Sequence, residues 1–140
     1  TEMTRKTDTF VTLDGRAKFA NDRKPDLFVS VHFNSAPSAQ AHGIEVFYYR
    51  SEQDVERSAT SKELAEKILQ KVLVNTEAKS RGVKHGNLAV IRKTTMPAVL
   101  IEGGFLTNEQ EFQKLRDSAY IKKLAWGIAQ GIQDFLNMNK

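Results

Sequence analysis

The chain has 140 residues, with 21 Lys or Arg against 17 Asp or Glu, a formal charge of +4 and a pI near 9.4. That length suits one domain with a real core, and no apolar stretch nears the roughly 20 residues needed to span a bilayer. Cysteine is absent, which excludes disulfides and thiolate zinc sites and leaves only His, Asp or Glu to hold a metal.

The opening residues, Thr1-Glu2-Met3-Thr4-Arg5, are polar and contain no signal-peptide core, which leaves the compartment open. A basic surface favours an anionic partner such as nucleic acid, anionic lipid or an acidic cell wall. Here the basic residues are spread along the chain and most stand beside acids, as in Asp22-Arg23-Lys24 and Lys62-Glu63. No concentrated basic stripe and no RNA-binding aromatic signature is present, so solvated surface charge is expected and nucleic acid is not the expected partner.

In chain order, Leu13, Ala17 and Ala20 are spaced for one face of a short helix over 13–21. Residues 26–32 are apolar almost throughout, the mark of a strand covered on both faces. A loop over 34–41 leads to a strand over 44–49, rich in β-branched and aromatic residues. A long helix follows over 54–74, carrying Leu64, Ile68 and Val72 on one stripe with Ala65, Leu69 and Leu73 beside it. Two further strands are expected over 88–92 and 98–102, separated by a turn ending in Met96-Pro97. Asn108 with Glu111 three residues on reads as a capping box. The last helix keeps Ile121, Leu124, Ala125, Ile128, Ile132, Phe135 and Leu136 to one face. Strands alternating with helices predict a single α/β domain over 1–140, with a mostly parallel central sheet flanked by helices on both faces.

Two of these strands end on residues able to do hydrolytic chemistry, where ligands of open α/β sheets gather. His32 closes the first, in Ser30-Val31-His32-Phe33-Asn34. Ser30 and Asn34 share its side of the strand, since strand side chains repeat every second residue, and either could hold one ring nitrogen while the other met a metal. Glu102 ends Ala98-Val99-Leu100-Ile101, where an unpaired carboxylate costs energy and burial raises its pKa toward that of a general base. Gly103 and Gly104 let backbone or substrate approach closely. Glu45 is a second strand carboxylate, facing solvent or a cleft. Arg81 could hold a substrate carboxylate through its planar fork. His42 and His85 sit in loop-like contexts and are expected to be exposed.

Taken together, these segments resemble the zinc-dependent N-acetylmuramoyl-L-alanine amidases of the "amidase 3" type, which are cell-wall hydrolases. The resemblance runs through Met3-Thr4-Arg5, Ala20-Asn21, Ser30-Val31-His32-Phe33-Asn34, Gly43-Ile44-Glu45-Val46 and Arg81-Gly82-Val83. It ends in the specific run Pro97-Ala98-Val99-Leu100-Ile101-Glu102-Gly103-Gly104-Phe105-Leu106-Thr107-Asn108. The resemblance implies zinc as cofactor, with His32 as one ligand and Glu102 as catalytic acid/base. It also implies cleavage of the amide between N-acetylmuramic acid and L-alanine of the stem peptide. Asn34, Glu45, Arg81 and Gly103 are candidate substrate-binding residues.

The implied partner is peptidoglycan, the implied setting the extracellular cell wall, and a monomer without membrane insertion is expected. The family's Asp-Pro-Gly-His-Gly-like motif and following glutamate, which carry its other two zinc ligands, are not in this sequence. An N-terminally incomplete catalytic domain is therefore expected, with the remaining ligands outside the chain. The alternative is a non-catalytic peptidoglycan-binding or regulatory module on the same scaffold.

Overall fold

A computed structural model describes all 140 residues. In order the elements are α1 (Leu13–Arg23), β1 (Phe28–Asn34), β2 (Ile44–Tyr48), α2 (Val55–Thr76), β3 (Ser80–His85), α3 (Ala89–Arg92), β4 (Ala98–Phe105), α4 (Glu109–Leu115) and α5 (Ser118–Met138). The four strands form one sheet in the order β1-β4-β2-β3. β1 pairs parallel with β4 and β2 parallel with β3, while β2 and β4 run antiparallel.

The α/β sheet flanked by helices is as expected, but it is mixed. The connections explain why. Helix α2 carries the chain from β2 over to its parallel neighbour β3, the crossover that parallel strands require. Between β1 and β2 there is only a loop, so the chain reverses, and β4 enters between the two.

β4 alternates its side chains between two cores. Val99 and Ile101 join Ile44 and Val46 against α2 (Leu64, Ala65, Ile68, Leu69, Val72) and α5 (Leu124, Phe135). Ala98 and Leu100 face the other way, against Val90 and Ile91 of α3, with Phe28 and Phe47 closing that layer. Each fully buried Ile or Leu contributes about 1.5–3 kcal/mol relative to exposure. Helices α2 and α5 approach closely because Gly127 and Gly131 carry no side chain. A Cβ on Gly127 would lie 2.7 Å from the Val72 Cα, and one on Gly131 would strike the Ile68 backbone.

Two elements differ from expectation. The strand expected over 88–92 is the short helix α3, and the strand in that part of the chain is β3. A four-residue apolar run, Leu88-Ala89-Val90-Ile91, does not separate a strand from a buried helical turn by periodicity. β3 contains one large apolar residue, Val83, as suits a polar edge strand. Nor is β1 covered on both faces. It is the other edge, and Val31 and Phe33 are 48% and 39% exposed.

Asn108 caps α4 by accepting from the Glu111 backbone N–H, but the expected reciprocal bond is replaced. The Glu111 carboxylate instead accepts from Gly43 N at 3.0 Å and Phe105 N at 2.9 Å. It thereby ties the start of β2 to the end of β4.

Candidate active site

Three ionisable side chains form a row across three neighbouring strands. His32 on β1 is the register partner of Glu102 on β4, and Glu102 is the partner of Glu45 on β2. Paired strand residues point to one side of the sheet, here the face of Ala98, Leu100 and α3. The row lies at the carboxyl ends of β1 and β4, where α/β sheets present chemistry.

Each member of the row has a distinct environment. Ser30 Oγ lies 2.7 Å from His32 Nε2, so the serine holds that ring nitrogen as the spacing suggested. Burial first, then the positive charges of Arg16 and Arg5, push the His32 pKa below its ordinary value. The ring is accordingly neutral near pH 7, the form that can donate a lone pair.

The Glu102 Oε2 atom is buried and has no hydrogen-bond partner. Burial, and secondarily the negative charge of Glu45, raise the Glu102 pKa to about 7. Glu45 is almost fully buried and fully engaged. It receives Asn34 Nδ2 at 3.1 Å, Lys84 Nζ at 2.8 Å and Arg81 Nε at 3.3 Å.

Four of the residues singled out from sequence (His32, Glu102, Glu45 and Asn34) therefore share one face, and Arg81 reaches it. Gly103 does not share it. A Cβ there would meet Leu124 and Phe33 at 3.0 Å, on the α5 side of the sheet. His42 and His85 are exposed and stand apart from His32, with Nδ1 of each bonded to a backbone group. Lys84 was not anticipated, because a lysine on a polar edge strand reads as solvated.

A family model described as N-acetylmuramoyl-L-alanine amidase matches residues 1–134. The chain belongs to that family. An endolysin of Bacillus phage SPP1 is 35% identical, covering 99% of this chain and 51% of the endolysin. The N-acetylmuramoyl-L-alanine amidase LytC of Bacillus subtilis (strain 168) is 37% identical over 92% of this chain and 25% of its own length. Among solved structures, an N-acetylmuramoyl-L-alanine amidase from Clostridium difficile 630 superposes with a TM-score of 0.88 at 37% identity. It covers 95% of this chain and 69% of that one. The CwlV catalytic domain from Bacillus (Paenibacillus) polymyxa var. colistinus gives 0.86 at 40% identity, over 96% and 70% of the two chains. The chain thus spans about half, or less, of the length of these curated relatives.

Within this amidase-family chain the donor chemistry fits zinc in kind but not in number. His32 is a neutral imidazole with one nitrogen held, and the orphaned Glu102 oxygen lies on the adjacent strand. A catalytic zinc takes about three protein ligands. No three His, Asp or Glu side chains of these 140 residues converge to hold a metal. No helix is long and apolar enough to cross a membrane.

Proposed function

We propose that residues 1–140 form most of a peptidoglycan amidase catalytic domain that hydrolyses the amide between N-acetylmuramic acid and L-alanine of the stem peptide. The observation that carries this reading is the half-buried Glu102 carboxyl, with one buried oxygen left without a partner and its pKa raised to about 7, on the strand next to His32. A general base works best when its pKa lies near the working pH. Glu102 accepts a proton as water attacks the lactyl carbonyl and a C–O bond forms. It then delivers that proton to the alanine nitrogen as the C–N bond breaks. Ser30 fixes the ring of His32, which would be one donor to a bound zinc. When bound, zinc polarises the carbonyl and eases deprotonation of the water. The substrate places this activity in the cell wall, outside the cytoplasm.

The test is digestion of purified peptidoglycan with zinc in excess in the buffer, which fills even a weakly held site, followed by mass spectrometry and assay of new alanine amino groups. Release of stem peptides with free N-terminal alanine is expected, and its loss in Glu102→Gln. Wall binding without cutting under every metal condition would overturn the reading in favour of a non-catalytic binding module, which the incomplete donor set favours. Elemental analysis of the 140-residue chain after exhaustive dialysis tests the donor assignment. Substoichiometric zinc is expected, and one tightly held zinc per chain would overturn it.

A further inference from the structure

The ladder between β2 and β3 contains a register shift that the amidase chemistry leaves unexplained. Ile44 pairs with Ser80, but Glu45 pairs with Gly82, so Arg81 is the extra residue of a bulge. In a regular strand Arg81 would share the face of Val83, which packs against the α2–α5 core. The bulge re-aims it to the opposite face, where its Nε reaches Glu45.

The surroundings accommodate that redirection. Gly82 adopts φ +86°, and a Cβ on Gly43 would lie 2.9 Å from the Arg81 Cγ. The guanidinium stacks 4.8 Å from the Phe105 ring centroid, and Nη1 donates to the His42 carbonyl at 3.3 Å. Lys84, on the same face, donates to the same Glu45 oxygen.

Two cations thus converge on one carboxylate that is 6% exposed, while they themselves are 29% and 43% exposed. Glu45 can neutralise only one of them. The cluster keeps a surplus positive charge, and Arg81 Nη2 is bonded to nothing in the chain. Fixed in this way, the planar fork is preorganised for a second carboxylate arriving from solvent.

We propose that Arg81 and Lys84, held by Glu45, form a cradle that recognises a free carboxylate on the stem peptide, one residue beyond the alanine whose amide is cut. This rests on the amidase reading of the same face. The dimensions agree. Neighbouring strands are about 4.8 Å apart, so the β3 backbone stands about 10 Å from that of Glu102, and both cationic side chains lean back toward Glu45. An extended peptide advances about 3.5 Å per residue, which carries the second residue's α-carboxylate about 7 Å from the scissile amide. Asn34, bonded to the other Glu45 oxygen, holds the carboxylate from the β1 side and fixes which oxygen faces the cations.

The test uses two muramyl tripeptides whose second residue is a glutamate joined to the third through its side-chain carboxyl, with its α-carboxyl free in one and a primary amide in the other. Binding to the zinc-free 140-residue chain is followed by calorimetry and by the ¹⁵N resonance of Arg81 Nε. The acid form is expected to bind about tenfold more tightly and to move that resonance, whereas the amide form leaves it in place. Arg81→Gln and Lys84→Gln should each bring the affinity ratio toward one, with folding checked by circular dichroism. Lys84 is the more exposed of the two, so its variant remains informative should the Arg81 variant unfold. Equal affinities, or a stationary Arg81 resonance, would overturn the cradle while wall hydrolysis by the zinc-loaded protein continued. A protein that neither bound these peptides nor cut the wall would bring down the amidase reading together with it.

Discussion

Glu45 and Glu102 face one another across the β2–β4 ladder, yet their surroundings could hardly differ more. Glu45 is the more buried of the two and satisfies its charge with Asn34, Arg81 and Lys84. Glu102 keeps a buried oxygen without any partner and a pKa near 7. Burial by itself therefore does not make a carboxyl reactive. What separates the two is that Arg81 and Lys84 bond Glu45 directly, while no cation bonds Glu102. Such different surroundings suit the two carboxylates to different tasks, Glu45 to hold cations in place and Glu102 to exchange a proton.

The largest expected effect comes from removing the exchanging group. Glu102→Gln keeps the shape and loses the base, so kcat for wall hydrolysis should fall about 100- to 10,000-fold. Zinc content, read by elemental analysis, should be unchanged. Activity within a few-fold of the wild type would break the distinction between the two carboxylates.

The same substitution should stabilise the fold, and only at high pH. The folded-state pKa of Glu102 is raised from 4.5 to about 7, so between these values the folded chain keeps a proton that the unfolded chain has released. Stability then falls as pH rises through that window and levels off above it, a loss of about 3 kcal/mol at most. The Glu102→Gln chain lacks this slope. Urea unfolding of the zinc-free proteins should give similar midpoints at pH 4.5 and a higher midpoint for the variant at pH 8. Parallel midpoints at both pH values would mean that the carboxyl finds partners in solution.

Much of this arrangement was legible beforehand, for identifiable reasons. His32 and Glu102 stood out because each ends an apolar strand run, where a polar side chain is costly unless it is used. The long amphipathic helices α2 and α5 were equally plain from their periodicity. Lys84 and the role of Glu45 were hidden because β3 is a polar edge strand with no alternation to mark it. The bulge that turns Arg81 around comes from pairing with β2, a non-local fact that spacing along one strand cannot carry. Gly127 and Gly131 carry no such mark either. In a helix sequence they read as weak formers, and only the packing of α5 on α2 shows that nothing larger fits.

The smallest effect, and the sharpest test of how the two carboxylates are linked, is Glu45→Gln. Its negative charge is the second cause of the raised Glu102 pKa, after burial. Removing it leaves Arg81 and Lys84, two strands from Glu102, without their counter-charge, and both changes favour ionised Glu102. The Glu102 pKa should therefore drop by about one pH unit, while burial keeps it above the ordinary carboxylate value. A carboxyl ¹³C titration of the zinc-free chain reads this directly. In the zinc-loaded protein the low-pH limb of the hydrolysis profile should move the same way, because the base must be deprotonated to accept a proton. An unmoved titration would mean that the Glu45 charge is already cancelled by its cations as seen from Glu102. The raised pKa would then belong to burial alone, and the two carboxylates would work independently despite sharing a ladder.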